Sequence, residues 1–189
     1  NDFIYGTEES HGFMIGDYCR DKDGAAACML LCELADDLKQ QGKTLHDFLT
    51  SLYEQFGVYQ ESLKTIYMHG SSGMQRMQHV MDQLRNASPR DLGGQQVMRI
   101  RDYLTQQITT TAGSVTVFSG PIDNLLFFEL ETAGHYVAVR PSGTEPKIKF
   151  YTFTRADVES GGSVEKTQDI LNTMIQLIED DLQRFVDAE

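Results

Sequence analysis

A chain of 189 residues, 40% hydrophobic and 23% charged, has the composition of a soluble globular protein with room for one good core or two small ones, which excludes wholesale disorder. Its formal charge of −12 argues against nucleic-acid backbones and anionic membranes as partners, and no apolar run is long enough to span a bilayer. Three cysteines, an odd number, give no disulfide framework and point to a reducing, cytoplasmic setting.

The chain opens on Asn1-Asp2-Phe3-Ile4-Tyr5, with no initiator Met and no basic-then-apolar signal pattern, so a piece of a longer protein is expected. Phe3 to Gly6 reads as a buried strand. A polar loop follows, through Gly6-Thr7-Glu8-Glu9-Ser10-His11-Gly12 to Arg20-Asp21-Lys22-Asp23-Gly24. Asp23 can cap a helix carrying Ala27, Leu30, Leu31, Leu34 and Leu38, with Gly42 as its stop. On that helix Cys28 and Cys32 read as buried structural thiols rather than metal ligands. Thr44 with Asp47 resembles a capping box for a second helix, whose stripe is Leu45, Phe48, Leu49, Leu52 and Phe56. Gly57 ends it.

From Val58 the texture changes. A strand over Ser62–Met68 leads through Gly70-Ser71-Ser72-Gly73 into a helix with Met74, Met77, Val80, Met81 and Leu84, a stripe better suited to core packing than to a binding face. Asn86 to Gly94 is loop and Val97–Tyr103 a strand, while the turn-rich stretch from Thr105 to Asn124 suggests no definite element. Leu125–Thr132 and Tyr136–Arg140 form a hairpin about Ala133-Gly134-His135, and Lys147–Phe153 alternates as a further strand. A last helix from about Val164 carries Leu171, Met174, Ile175, Ile178, Leu182, Phe185 and Val186 on one face. The expected organisation is the tail of an α/β domain over residues 1–57, then an α+β domain over 58–189.

Two loops carry chemistry. In Arg140-Pro141-Ser142-Gly143-Thr144-Glu145-Pro146, Gly143 can let amide N–H groups converge on an anion, Ser142 and Thr144 add hydroxyls, and Arg140 offers a fork matched to phosphate oxygens. Lys147 and Lys149 raise the local positive potential; a tight polar connection is the plain alternative. The second loop holds two carboxylates, a hydroxyl and an imidazole within Glu8-Glu9-Ser10-His11, which suits a polyol, a solvated turn or a metal.

Arg-Pro-Ser-Gly-Thr-Glu-Pro followed by Lys-Ile-Lys resembles the phosphate loop in the last domain of the α-D-phosphohexomutases, the family of phosphoglucomutases, phosphomannomutases and phosphopentose-acting relatives. Glu8-Glu9-Ser10, with the run to Arg20-Asp21-Lys22-Asp23-Gly24, resembles the third-domain sugar loop of the phosphoglucomutase branch. Thr7 departs from the Gly-Glu-Glu-Ser spelling of some members, and His11 is not at the spacing of the phosphomannomutase histidine, which leaves its role open. The resemblance implies that Arg140, Ser142, Gly143 and Thr144 grip the non-reacting phosphate, while Glu8 and Ser10 contact two neighbouring ring hydroxyls. Arg20 is placed as a basic active-site residue and Lys22 as a catalytic acid/base or phosphate contact, the alternative being that Lys22 pairs with Asp21 or Asp23.

The same resemblance implies an α/β remnant of a third domain followed by a fourth domain whose antiparallel sheet packs against helices in a TATA-box-binding-protein-like way. Whole members use a phosphoserine, Mg²⁺ and a glucose 1,6-bisphosphate-type intermediate. Neither the Thr-Ala-Ser-His-Asn-Pro-type serine loop nor the Asp-Gly-Asp-Gly-Asp-type metal loop occurs here. The expected partners are a hexose phosphate and the N-terminal domains of the parent enzyme. The chain by itself is expected to be inactive and to hold no metal ligands. A stand-alone phosphosugar-binding module and a phosphopentomutase-type substrate are the alternatives.

Overall fold

Asp23 accepts hydrogen bonds from the Ala25 and Ala26 amides at 2.9 and 3.1 Å, and so starts the first helix, α1 (Gly24–Gln40), where the sequence places it. The structure, a computed structural model, describes residues 3–8, 11–159 and 161–188. Two compact units divide the chain, residues 1–55 and 56–189.

In the first unit α1 closes on Gly42, at φ 71°, with the Lys43 amide donating to Leu38 O at 2.9 Å. The capping box then opens α2 (Leu45–Phe56): the Thr44 amide donates to Asp47 Oδ2 at 2.8 Å and the Asp47 amide to Thr44 Oγ1 at 3.1 Å. Ahead of the helices lie β1 (Tyr5–Glu8) and β2 (Gly12–Ile15), paired antiparallel with Glu8 opposite Gly12. Two expectations change here. The first strand is not the buried Phe3–Gly6 but Tyr5–Glu8, with Ile4 80% exposed, and the polar loop folds back as a second strand. Cys28 and Cys32, expected as buried thiols, are exposed, together with Met29, Leu30 and Leu31. The cause is the same in both cases. Periodicity marks which side of an element is apolar, but it does not say which neighbour covers that side; α1 packs chiefly against β2 among the described residues.

The second unit runs β3 (Val58–Tyr67), α3 (Gly73–Asn86), β4 (Asp91–Leu92), β5 (Gln95–Asp102), β6 (Gln107–Thr110), β7 (Val115–Val117), β8 (Leu126–Leu130), β9 (Tyr136–Pro141), β10 (Lys147–Ala156) and α4 (Val164–Asp187). Seven strands form one antiparallel sheet in the order β3-β10-β9-β8-β5-β6-β7, with β4 paired to β5. β3 begins at Val58 rather than at Ser62, and the stretch that suggested no element supplies β6 and β7.

Alternation decides the two faces of this sheet. β10 buries Ile148, Phe150, Thr152 and Thr154 and leaves Lys147, Lys149, Tyr151 and Phe153 half-buried on the other side. Against the buried face pack Met77, Val80, Met81 and Leu84 of α3 and Ile178, Leu182 and Val186 of α4. The stripe from Met77 to Leu84 is therefore core, while Met74 at its start is exposed. Each such side chain contributes about 1.5–3 kcal/mol by leaving water. On the opposite face Phe127, Tyr136 and Phe153 stack, with successive centroids 4.4 Å apart. No described helix is long and apolar enough to cross a membrane.

Candidate functional site

The loop between β9 and β10 is closed at its base by two backbone bonds, from the Ser142 amide to Lys147 O at 2.8 Å and from the Met68 amide to Pro146 O at 2.8 Å. The second bond ties the loop to the turn ahead of α3. There Gly73 has no room for a side chain, since a Cβ would lie 2.0 Å from Met68 O and 3.0 Å from Pro146 Cβ. Arg140, Ser142, Gly143 and Thr144 thus share one braced turn. Ser142 Oγ accepts from the Thr144 and Glu145 amides at 3.4 and 3.3 Å. Those amides point at the serine, and Gly143 is not in the left-handed region; a Cβ on it would meet nothing within 4 Å. Its contribution here is open space rather than a special conformation.

The cations are arranged by register. Arg140 lies directly opposite Lys149 across the β9–β10 ladder, and Lys149 opposite Thr65 on β3. Like charges placed opposite one another in a sheet repel, so such a pair costs stability unless an anion is shared between them. Lys149 was left without a contact in the sequence reading, although the alternation of β10 already puts it on the face of Arg140. Lys147 pairs with Glu145, a hydrogen bond that holds its ammonium above the ordinary lysine range, and its Nζ lies 5.5 Å from the Tyr67 ring centroid. Arg140 itself is exposed and has a carboxylate partner, Asp123 Oδ2, 3.3 Å from its Nε.

In the first unit Glu8, at the end of β1, meets Lys22, just ahead of α1. Lys22 Nζ lies 2.5 Å from Glu8 Oε2, with both side chains about half exposed (52% and 51%). Lys22 thus pairs through its ammonium with Glu8, while its backbone amide donates to Asp21 Oδ1 at 2.7 Å. Gly12 permits this crossing, because a Cβ there would sit 2.7 Å from Lys22 Cδ and 3.2 Å from Glu8 Oε2. His11 takes φ 61° to make the turn and donates its amide to Glu8 O at 3.2 Å.

The Lys22 segment is pinned to β2 by the Asp23 amide, 2.7 Å from Phe13 O. Tyr18 donates its hydroxyl to Asp23, which pushes the phenol up to about 12 and holds the carboxyl below its usual range. Arg20 is exposed and makes no ion pair among the described residues. Ser10, the other expected sugar contact, lies outside the described residues. Among the described residues there is no group of three His, Cys, Asp or Glu that could hold a metal ion.

Residues 1–56 match the family model for phosphoglucomutase/phosphomannomutase, alpha/beta/alpha domain III. The chain is 32% identical to a phosphoglucomutase of Staphylococcus haemolyticus over 90% of its length, which is 30% of that protein. To the phosphoglucomutase of Staphylococcus aureus strain N315 it is 34% identical over 78% of its length and 27% of the relative. Among solved structures, the open form of pp63/parafusin, a phosphoglucomutase from Paramecium, superposes with a TM-score of 0.56 at 19% identity, covering 94% of this chain and 30% of that one. The chain thus spans about 30% of the length of the relatives it matches. These matches support a piece of the phosphohexomutase family of phosphoglucomutases and phosphomannomutases.

Proposed function

We propose that this chain is the substrate-recognition part of an enzyme that moves phosphate between C1 and C6 of a hexose phosphate by way of a phosphoserine and a 1,6-bisphosphate. In this reading residues 58–189 are its fourth domain, with the TATA-box-binding-protein-like arrangement of sheet and helices. The observation that carries the proposal is the pairing of Arg140 with Lys149 across the ladder, beside Ser142 and Thr144. Two cationic residues at opposed positions on neighbouring strands suit a phosphate dianion.

Glu8 serves as acceptor for ring hydroxyls, with Ser10 beside it. Lys22, held against that carboxylate, is better suited to orienting Glu8 and donating to the substrate than to removing a proton; its catalytic role is kept as the secondary proposal, with Arg20 as an added cation. Mg²⁺ supplies charge neutralisation to phosphoryl transfer in such enzymes, and no step here passes through it. The three free thiols suit the reducing cytoplasm.

Glucose phosphates are the preferred substrates in this proposal, from the Glu8-Glu9-Ser10 spelling. In the parent enzyme Arg140→Ala is expected to raise KM for glucose 1-phosphate about ten- to a hundredfold, while the 189-residue chain alone turns over no substrate. Unchanged KM in the variant, or mutase turnover by the isolated chain, contradicts the proposal.

A further inference from the structure

The register that sets Leu126 opposite Val139 runs the segment just before β8 alongside Arg140. Asp123 lies in that segment, with its Oδ2 3.3 Å from Arg140 Nε. Its place is held from several directions. Asp123 Oδ1 accepts from the Asn124 amide at 2.8 Å, and Asp123 O accepts from the Leu125 amide at 2.9 Å. Asn124 Oδ1 accepts from Arg85 Nη2 at 2.8 Å, while Arg85 Nε donates at 2.9 Å to Oδ2 of Asp102, which is 7% exposed. Asp102 is in turn satisfied by the Leu104 amide at 3.0 Å and the Thr105 hydroxyl at 2.9 Å. A hydrogen-bonded chain therefore runs from a buried carboxylate on β5, through α3, to the loop that meets Arg140.

We infer that Asp123 is a positioning residue for Arg140, holding the guanidinium by its Nε edge so that the phosphate-binding fork is in place before the ligand arrives. Arg140 needs such a holder. Its stem is long and exposed, with Lys149 at the opposed position in the ladder. Contact at Nε is the economical choice, because the Nη groups are the ones that match two phosphate oxygens. The opposing effect is repulsion between Asp123 and a bound phosphate. That repulsion acts across the width of the guanidinium at an exposed site, where screening is strong.

This inference rests on the reading of the loop as a phosphate site, and the experiment separates the two. Glucose 6-phosphate is titrated into the 189-residue chain, its dissociation constant is measured, and the Arg140 Nε–Hε resonance is followed by NMR. Asp123→Asn is expected to raise the dissociation constant about fivefold and shift that resonance, Asp123→Glu to restore most of the affinity, and Asp123→Asn to add nothing in an Arg140→Ala background. Unchanged or tighter binding by Asp123→Asn overturns the inference and makes Asp123 a bystander or a competitor. An equal loss with and without Arg140 also overturns it, by showing a purely structural role. Absence of binding by the wild-type chain, or full binding by Arg140→Ala, overturns the phosphate reading itself and the inference with it.

Discussion

Lys22 reaches Glu8 by crossing directly over Gly12, with Nζ 2.5 Å from Glu8 Oε2 and the Gly12 backbone occupying the space beneath its stem. An exposed ion pair of this kind contributes no more than about 1 kcal/mol to folding, so its value lies in arranging the two side chains. Gly12→Ala puts a methyl group where Lys22 Cδ lies. The lysine stem can swing away, so thermal stability is expected to change little while the pair opens. Hexose-phosphate affinity should fall severalfold, measured by titration calorimetry; full affinity in the variant shows that the pairing is not needed.

Gly73→Ala is a harsher change. The new Cβ would lie 2.0 Å from the Met68 carbonyl, which is backbone and cannot step aside as a side chain can. Overpacking of this sort costs about 1–3 kcal/mol, and more when backbone must move. Denaturant unfolding should show that loss, together with weakened phosphate binding, because Met68 and Pro146 brace the loop. Wild-type stability would mean that the turn before α3 is looser than described.

Thr152 is fully buried and its hydroxyl finds no partner. Thr152→Val keeps the shape and removes the unpaired polar atom, so stability is expected to rise by about 1 kcal/mol. A midpoint shift of several degrees in thermal unfolding is the corresponding observation. A fall in stability would show that the hydroxyl is satisfied in solution.

Acid should act at the start of α2. The Thr44 amide and hydroxyl hold the Asp47 carboxyl below its usual range. A carboxyl lowered in the folded state contributes stability above its unfolded value, about 3.9, and that contribution is lost as pH falls through the folded value. Helical circular dichroism should therefore decline below about pH 4 in the wild type, and this component should be missing in Asp47→Asn. At the other extreme Tyr18 is raised, so its bond to Asp23 persists at pH 10 and is lost as pH rises toward about 12. Tyr18→Phe should remove that alkaline component; identical alkaline profiles would contradict it.

The helix boundaries were legible because their signals are local. Asp23, Gly42, the Thr44–Asp47 box and Gly57 each act within a turn of where they stand, and the structure uses Asp23, Gly42 and the box as caps. The hairpin about residues 133–135 and the alternation of β10 were legible for the same reason. What the sequence hid depends on distant partners. β6 and β7 are short and gain their place only by pairing in sequence with β5, and the exposure of Cys28 depends on which strands cover α1. At the site, motif spelling pointed to Arg140 and Glu8, whereas Asp123 on Arg140 and Lys22 on Glu8 are contacts between segments that no local pattern announces.

The central claim is that the Arg140 loop binds phosphate, and titration calorimetry of glucose 6-phosphate into the 189-residue chain tests it most directly. Wild type should bind, and Arg140→Ala and Lys149→Ala should each weaken binding, the arginine variant by about tenfold to a hundredfold, with glucose showing no comparable dependence on either cation. Equal affinity of wild type and Arg140→Ala for glucose 6-phosphate would contradict the account.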